Sequence, residues 1–233
     1  MTMIGDDLQH VRQRIAKTCA DAGRDPGAVR LLAVSKTFGP EAVREAHAAG
    51  QAAFGENYVQ EGLDKIAALA DLRAGLEWHC IGPLQSNKTR PVAEQFDWVH
   101  GIDRLKIAER LSAQRPAHLP PLQVCLQVNV DGGANKSGVT PEEALPLARA
   151  VAALPQLVLR GLMAIPEPAP DFEAQRALFL RAKALFDEIR GAGIALDTLS
   201  LGMSADLEAA VSAGSTMVRI GTAIFGGRPR KAA

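Results

Sequence analysis

The chain has 233 residues, enough for one large domain but too few for two sizeable ones. Its 26 basic and 26 acidic residues cancel, so no net charge favours nucleic acid or an anionic membrane surface as a partner. The three cysteines show no CxxC spacing, the N-terminus lacks a signal pattern, and no apolar run reaches the roughly 18 residues that span a bilayer, which together predict a cytoplasmic protein.

The first predicted element is a helix that begins near Asp6 or Asp7 as its cap and ends at Gly23. Its apolar residues recur at helical spacing: Leu8, Val11, Ile15 and Cys19. One face of this helix is therefore expected to pack against the rest of the protein.

Eight strand-like runs follow the first helix. In chain order they are VRLLAVSK, QAAFGEN, LEWHCIG, DWVHGI, LQVCLQVNV, LVLRGLMAI, DTLSLGM and TMVRIGT. Helical patterns separate several of them, over residues 40–49, 59–72, 104–115, 141–154 and 172–190. Apolar strands alternating with helices indicate a parallel sheet covered on both faces, and eight units favour closure into a barrel.

The sequence thus predicts an α/β fold, a (β/α)8 TIM barrel with an extra N-terminal helix, in a single domain over 1–233. The helix and its connection occupy about residues 1–28 and the barrel about 29–228. An open doubly wound sheet is the alternative.

The loop DGGANKSG, residues 131–138, is rich in glycine and contains a Lys-Ser pair. It lacks the glycine that precedes the lysine of a P-loop, and Asp131 stands where the first glycine of that motif belongs. Nucleotide binding in this loop is not expected.

Polar residues near the carboxyl ends of the strands are the candidates for a site, because barrel enzymes build their sites at that face. The residues so placed are Lys36, Glu56, Asn57, His79, Asn129, Ser200, Ser204, Arg219 and Thr222.

Lys36 ends the first apolar run, and two interpretations are open. The lysine either leaves the barrel and extends to water, or it is a desolvated amine whose pKa falls from about 10.4 and which reacts with a carbonyl group. The second interpretation predicts a Schiff-base lysine.

Arg219 lies within a strand that is expected to be buried on both sides, so its guanidinium needs either a structural acceptor or a bound ligand. The last two strands also end in glycine and hydroxyl residues. Ser204 is predicted to open a helix there, and with Gly221 and Thr222 it predicts a phosphate cradle after strands seven and eight.

The histidines do not predict a metal site. His79 and Cys80 are adjacent in a strand and point to opposite faces, and the remaining histidines, His10, His47, His100 and His118, lack ligand spacing. His79 either lines the mouth of the barrel or has a hydrogen-bonded packing role.

Six blocks of the sequence resemble, in order, the pyridoxal phosphate homeostasis protein family, which is related to the fold-type III barrel of alanine racemase. The blocks are LLAVSKTF, FGENYVQE, WHCIGPLQSNKTR, NKSGV, GLMAIP and LSLGMSADLEAAVSAGSTMVRIGTAIFG. They run from about Leu31 to Gly227, nearly the whole chain.

The resemblance implies a site for pyridoxal 5′-phosphate (PLP). Lys36 matches the lysine that holds the cofactor covalently as a Schiff base, and Arg219 matches the arginine that faces the pyridine nitrogen. The other matched positions are phosphate-binding or lie around the cofactor: Asn57, His79, Ser200, Ser204, Gly221 and Thr222. Lys136 matches a family lysine near the mouth whose role the sequence does not assign.

The resemblance further implies a PLP carrier that takes part in vitamin B6 homeostasis and supply, without robust turnover. A guanidinium only donates, so the pyridine nitrogen beside Arg219 is expected to stay unprotonated and to withdraw electrons weakly. Racemases of this barrel type share that arginine but add a tyrosine from a second domain, whereas Tyr58 is the only tyrosine here. No catalytic residue is predicted.

A PLP-dependent amino-acid racemase is the alternative, and an aldolase that uses Lys36 directly is a further one. The expected partners are PLP and, as candidates, PLP-dependent recipient enzymes. The chain is expected to be a monomer.

Overall fold

The computed structural model describes residues 3–133 and 137–227. Eight parallel strands form a closed barrel in chain order. They are Arg30–Val34 (β1), Ala53–Glu56 (β2), Glu77–Cys80 (β3), Trp98–Ile102 (β4), Leu122–Gln127 (β5), Leu157–Met163 (β6), Thr198–Ser200 (β7) and Met217–Ile220 (β8). Each strand lies within one of the eight predicted runs. The barrel prediction is confirmed, and the open doubly wound sheet is wrong.

Helices cover the outside of the barrel. They are Met3–Asp21 (α1), Pro40–Ala48 (α2), Val59–Ala68 (α3), Thr89–Gln95 (α4), Leu105–Gln114 (α5), Pro141–Ala152 (α6), Phe172–Gly191 (α7), Leu207–Ser212 (α8) and Thr222–Phe225 (α9). Short 3-10 turns lie at Pro26–Ala28, Ala70–Gly75 and Ser86–Lys88. The sequence patterns did not predict α4 or α9, because seven and four residues are too few to display a helical period clearly.

The first helix, α1, begins earlier than predicted. Within the described residues it starts at Met3, so Asp6 lies in its first turn rather than at its cap. The backbone N–H of Ile4 donates to Glu45 of α2 at 3.3 Å, and this tertiary contact accompanies the extra turn. An acidic residue in the first turn also suits the helix dipole.

The predicted apolar face of α1 is buried as expected, with Leu8 and Cys19 fully inaccessible. The helix packs against α2, α8 and α9. Within residues 3–133 and 137–227, the one-turn helix α9 follows β8, and α1 packs across it between α8 and α2 on the outside of the barrel.

The interior of the barrel combines small apolar clusters with buried polar side chains. Leu32 and Val34 belong to one interior cluster, whereas Ala33 between them joins the core under the helices, as alternation along a strand requires. The barrel closes where β1 pairs with β8, and Leu32 lies opposite Arg219 in that register. Closure thus brings the first and last strands together at the site described next.

Candidate functional site

A cavity of about 310 Å³ opens at the carboxyl ends of the strands. Six of the eight positions that the resemblance assigns to the cofactor line it: Lys36, Asn57, Ser204, Arg219, Gly221 and Thr222. The other two of the eight, His79 and Ser200, are fully buried deeper in the barrel. Glu56 and Asn129, the two other strand-end candidates, do not line this cavity. The structure therefore brings six of the predicted residues to one cavity and places His79 and Ser200 in a layer beneath it.

Lys36 follows β1 by two residues and is half-buried at the cavity wall. The next residue, Thr37, has a φ of 71°, in the left-handed region that side chains other than glycine rarely adopt. Such strain persists only where the surroundings hold it. Two hydrogen bonds hold the backbone here, one to the residue before Lys36 and one to the residue after it.

A buried lysine anchors both flanks of Lys36. Lys65 of α3 donates to the carbonyl of Ser35 at 2.7 Å, to Glu56 at 2.8 Å and to Glu61 at 2.7 Å. Glu61 in turn accepts the backbone N–H of Thr37 at 2.5 Å. The side chain of Lys65 is 4% exposed, so its three donors are satisfied by protein groups.

Glu56 supplies the most buried charge of this cluster. Its side chain accepts from the hydroxyl of Ser35 at 2.5 Å and from Lys65, while its second oxygen has no hydrogen-bond partner within the described residues. Burial raises the pKa of Glu56, although the charge and hydrogen bond of Lys65 oppose that shift. The carboxyl therefore depends on Lys65 for its stability in the folded state.

Arg219 of β8 forms the floor of the cavity and is 4% exposed. Its Nη1 donates to the carbonyl of Ser200 at 2.6 Å and to the hydroxyl of Ser200 at 2.8 Å, and its Nη2 donates to the carbonyl of Ala164 at 3.0 Å. Burial lowers the pKa of Arg219 to about 10, so the guanidinium stays charged at neutral pH. The guanidinium has both structural acceptors and access to the cavity.

The loop after β7 contributes Ser204, but the prediction that Ser204 opens a helix is wrong. Helix α8 begins at Leu207 with Asp206 at its cap. The carboxylate of Asp206 accepts the N–H of Met203 at 2.5 Å, which folds the chain into a turn before the helix can start. Ser204 lies in this turn at the cavity wall.

The extra helix α1 braces that turn. Arg14 donates to the carbonyl of Ser204 at 2.9 Å and makes two bonds of 2.6 Å with Glu208. The hydrogen bond from Arg14 lowers the pKa of Glu208. The N-terminal helix thus has a direct contact with a cavity loop, in addition to covering the barrel.

Gly221 and Thr222 form another part of the cavity wall, where β8 leads into α9. A Cβ atom at Gly221 would lie 3.0 Å from the carbonyl oxygen of Val34, so a side chain at this position would crowd β1. The glycine allows the end of β8 to lie close to the residues that precede Lys36.

Beneath the cavity, the side chains of His79, His100 and Ser200 form a row. His79 Nδ1 and His100 Nε2 are 2.9 Å apart, and His100 Nδ1 lies 3.1 Å from the hydroxyl of Ser200. His79 Nε2 contacts Glu77 at 2.5 Å on the other side. Of the two roles considered for His79, the structure places it in a hydrogen-bonded position below the cavity.

The sequence patterns did not identify His100, Lys65 and Arg14 as residues that support the site. His100 offered one signal, a lone polar residue within the apolar run DWVHGI. Lys65 stands four residues after Glu61 on a helix, a spacing that occurs in solvent-exposed ion pairs as well as in buried ones, so it does not identify a buried lysine. Arg14 contacts a loop 190 residues away, and no local pattern predicts such a contact.

In the described parts of the chain, no group of three or more His, Cys, Asp or Glu side chains has the arrangement of a metal site. No helix there is long and apolar enough to cross a membrane. All three cysteines are free and buried, and burial raises the pKa of Cys80 and Cys125 to about 12. Lys136 lies outside the described residues.

The chain matches the family model described as the alanine racemase N-terminal domain over residues 7–229. It is 60% identical to a protein of Pseudomonas aeruginosa over 98% of this chain and 97% of that one, and 55% identical to a protein of Escherichia coli K12 over 98% of each. Both relatives carry the name pyridoxal phosphate homeostasis protein.

Solved structures share the fold. PipY of Synechococcus elongatus, solved with PLP bound, has a TM-score of 0.79 and 39% identity, and the match covers 91% of this chain and all of that one. Alanine racemase of Corynebacterium glutamicum has a TM-score of 0.74 at 18% identity, over 99% of this chain and 63% of the racemase. The racemase match concerns the barrel fold alone.

Proposed function

The chain belongs to the pyridoxal phosphate homeostasis protein family, and from this membership we propose that it binds PLP and takes part in the homeostasis and supply of vitamin B6. The observation that carries the proposal is the convergence of Lys36, Arg219 and the Ser204 and Thr222 segments on one cavity. Named relatives at 50–60% identity and a PLP-bound neighbour at 39% identity support it.

The residues of the cavity fit PLP in three respects. An amine at the wall suits an aldehyde, a guanidinium at the floor suits an aromatic nitrogen acceptor, and hydroxyl and backbone groups around Ser204, Gly221 and Thr222 suit a phosphate. The volume of about 310 Å³ lies in the range of small-molecule sites. Bound PLP supplies an electrophilic aldehyde and an electron-withdrawing ring.

We propose that Lys36 holds the cofactor covalently. The neutral amine would form a C=N bond with the aldehyde carbon, and the aldehyde oxygen would leave as water with the two protons of the amine, which gives a linkage that hydrolysis reverses. Reversible attachment suits a protein that must also release its ligand. Ile165 and Met203 line the cavity and are 41% and 40% exposed, so the cavity reaches the protein surface where exchange takes place.

We propose that the protein is a carrier or regulator rather than a catalyst with robust turnover. Within residues 3–133 and 137–227, the ionisable side chains that line the cavity are Lys36 and Arg219. Racemisation needs proton-transfer groups on both faces of the substrate, and a guanidinium is a poor proton donor at neutral pH. Tyr58, the only tyrosine of the sequence, is 61% exposed and belongs to the cap of α3.

The test combines absorbance with mapping of the attachment site. Wild-type protein incubated with PLP and dialysed is expected to keep a visible absorbance band, and borohydride reduction is expected to place a pyridoxyl group on the peptide that contains Lys36. Lys36→Ala should lose both signals, whereas Lys17→Ala, at an exposed lysine of α1, should keep them. A Lys36→Ala protein that retains the cofactor equally well contradicts the proposal, and robust racemisation of an amino acid favours the racemase alternative.

We further propose that the protein acts as a cytoplasmic monomer that passes PLP to PLP-dependent enzymes. Three free buried thiols are typical of a reducing compartment. Activation of a PLP-free recipient enzyme by the loaded protein, faster than by an equal amount of free PLP, tests the transfer. Size-exclusion chromatography with light scattering tests the monomer, and cell fractionation tests the compartment.

A further inference from the structure

A continuous row of hydrogen bonds and one ion pair crosses the interior of the barrel. It begins at the amino end of the strands, where Arg30 lies 2.9 Å from Glu77, and continues through His79, His100 and Ser200 to the guanidinium of Arg219. The members come from five strands, β1, β3, β4, β7 and β8. Arg219 borders the cavity, whereas Glu77 is 31% exposed at the far end.

When Glu77 is ionised and both imidazoles are neutral, the two ends of the row determine the position of every proton between them. Arg219 only donates, so the hydroxyl oxygen of Ser200 accepts from it, and with His79 donating to Glu77 the Ser200 hydroxyl turns its own proton toward Nδ1 of His100. His100 then carries its proton on Nε2 and donates it to Nδ1 of His79. His79 carries its proton on Nε2 and donates it to the carboxylate of Glu77.

This arrangement satisfies each ring nitrogen once and requires both imidazoles to be neutral. Burial lowers the pKa of both His79 and His100, so the neutral forms are the stable ones at neutral pH. At the far end, burial tends to raise the pKa of Glu77, whereas His79 and the charge and hydrogen bond of Arg30 lower it, and the net shift is downward, which keeps the carboxyl ionised. The charged and titratable groups that act on the two histidines are Arg30, Glu77, Asp97 and Arg219.

The hydrogen bonds of Arg219 to protein groups limit the number of its N–H donors that remain for a ligand. A guanidinium has five N–H groups. Three of them are used by the carbonyl and hydroxyl of Ser200 and by the carbonyl of Ala164. The N–H of Nε and one N–H of Nη2 have no hydrogen-bond acceptor within the described residues, and Arg219 is one of the residues that line the cavity.

We propose that His79 and His100 are positioning residues: each is held as its Nε2–H tautomer, together they orient the hydroxyl of Ser200, and through it they orient Arg219 toward the ligand. The part of this proposal that concerns the ligand rests on the proposed binding of PLP. The tautomers themselves are a property of the protein without cofactor. The two parts can therefore be tested separately.

The first experiment reads the tautomers directly. Long-range ¹H–¹⁵N correlation spectra of protein labelled with ¹⁵N-histidine, without PLP, are expected to show both buried imidazoles neutral at pH 7 with the proton on Nε2. An Nδ1–H tautomer or a doubly protonated ring at either position overturns the proposal. This measurement decides the proton arrangement even when wild-type protein fails to retain PLP, a result that would refute the proposed function alone.

The second experiment is a double-mutant cycle on PLP affinity. His100→Leu removes the acceptor of the Ser200 hydroxyl, and Ser200→Ala removes the hydroxyl. Each variant is expected to weaken PLP binding by about tenfold, the order for loss of a hydrogen bond that supports a charged group. Because both act through one bond, the double variant should bind about as well as either single variant.

Two further variants separate positioning from packing. His100→Gln offers an amide oxygen to Ser200 and is expected to restore part of the affinity that His100→Leu loses. Met163→Leu changes a buried neighbour inside the barrel that belongs to an apolar cluster and is expected to leave affinity unchanged. Additive losses in the cycle, or a wild-type affinity in folded His100→Leu, overturn the positioning role.

Discussion

Replacing Lys65 with methionine tests the buried cluster that flanks Lys36. The side chains of Lys65 and Glu56 are 4% and 0% exposed, and Lys65 makes three hydrogen bonds of 2.7 to 2.8 Å. Methionine matches the length of the lysine chain but has no donor. Glu56 then remains as a buried carboxylate without its cation.

Removal of one partner from a buried ion pair costs about 3 to 5 kcal/mol of unfolding free energy. The loss in Lys65→Met is expected to depend on pH. Burial already raises the pKa of Glu56 in the wild type, and loss of the cation raises it further. A carboxyl whose pKa is higher in the folded state than in the unfolded chain destabilises the fold as pH rises through that interval. The loss should therefore be larger at about pH 8 than at about pH 5.

Urea unfolding followed by far-ultraviolet circular dichroism measures the loss at both pH values. Lys17→Met is the matched control, because Lys17 pairs with Asp21 on the surface and its side chain is 77% exposed. That control is expected to leave stability unchanged. A loss below about 1 kcal/mol in Lys65→Met, or one that is the same at both pH values, would refute the assignment of an uncompensated buried charge.

Three further results are expected. Burial lowers the pKa of His100, so below about pH 6.5 the folded protein binds fewer protons than the unfolded chain, and stability falls as the pH drops. In urea titrations at several pH values, His100→Leu should reduce this pH dependence of the unfolding free energy by up to about 1.4 kcal/mol per pH unit. The control His10→Gln, at an exposed site, should leave it unchanged. Gly82→Ala should lower both the melting temperature and PLP retention, because its Cβ would lie 2.1 Å from the carbonyl oxygen of Asn57. Gly191→Ala, at the end of α7 with no atom within 4 Å of its Cβ, should raise unfolding free energy by up to about 1 kcal/mol; equal melting temperatures for the two alanine variants contradict the packing argument.

Much of the barrel could be predicted because its information is local. Each strand is a short apolar run bounded by polar residues, and the long helices carry their apolar side chains at regular spacing. The prediction failed where tertiary contacts override local preference. The contact of Ile4 with Glu45 accompanies an earlier start of α1, and the bond of Asp206 to Met203 delays α8.

The candidate site also has parts that the sequence predicts and parts that depend on tertiary contacts. Lys36 and Arg219 could be identified as unusual because each interrupts an apolar run at or near the end of a strand. Their common cavity follows from barrel closure, since β1 pairs with β8. The support of Lys36 by Lys65 joins residues from separate elements, and no spacing along the chain predicts it.

The sequence alone thus determined the eight strands in chain order, the longer helices between them, and the strand ends at which Lys36 and Arg219 lie. The three-dimensional structure decided the depth of each residue, with His79 and Ser200 beneath the cavity and Lys36 and Arg219 at it. The physical reason is that alternation along a strand assigns a side chain to a face. Its height in the barrel and its neighbours depend on the tilt and stagger of eight strands at once, which no single run of residues contains.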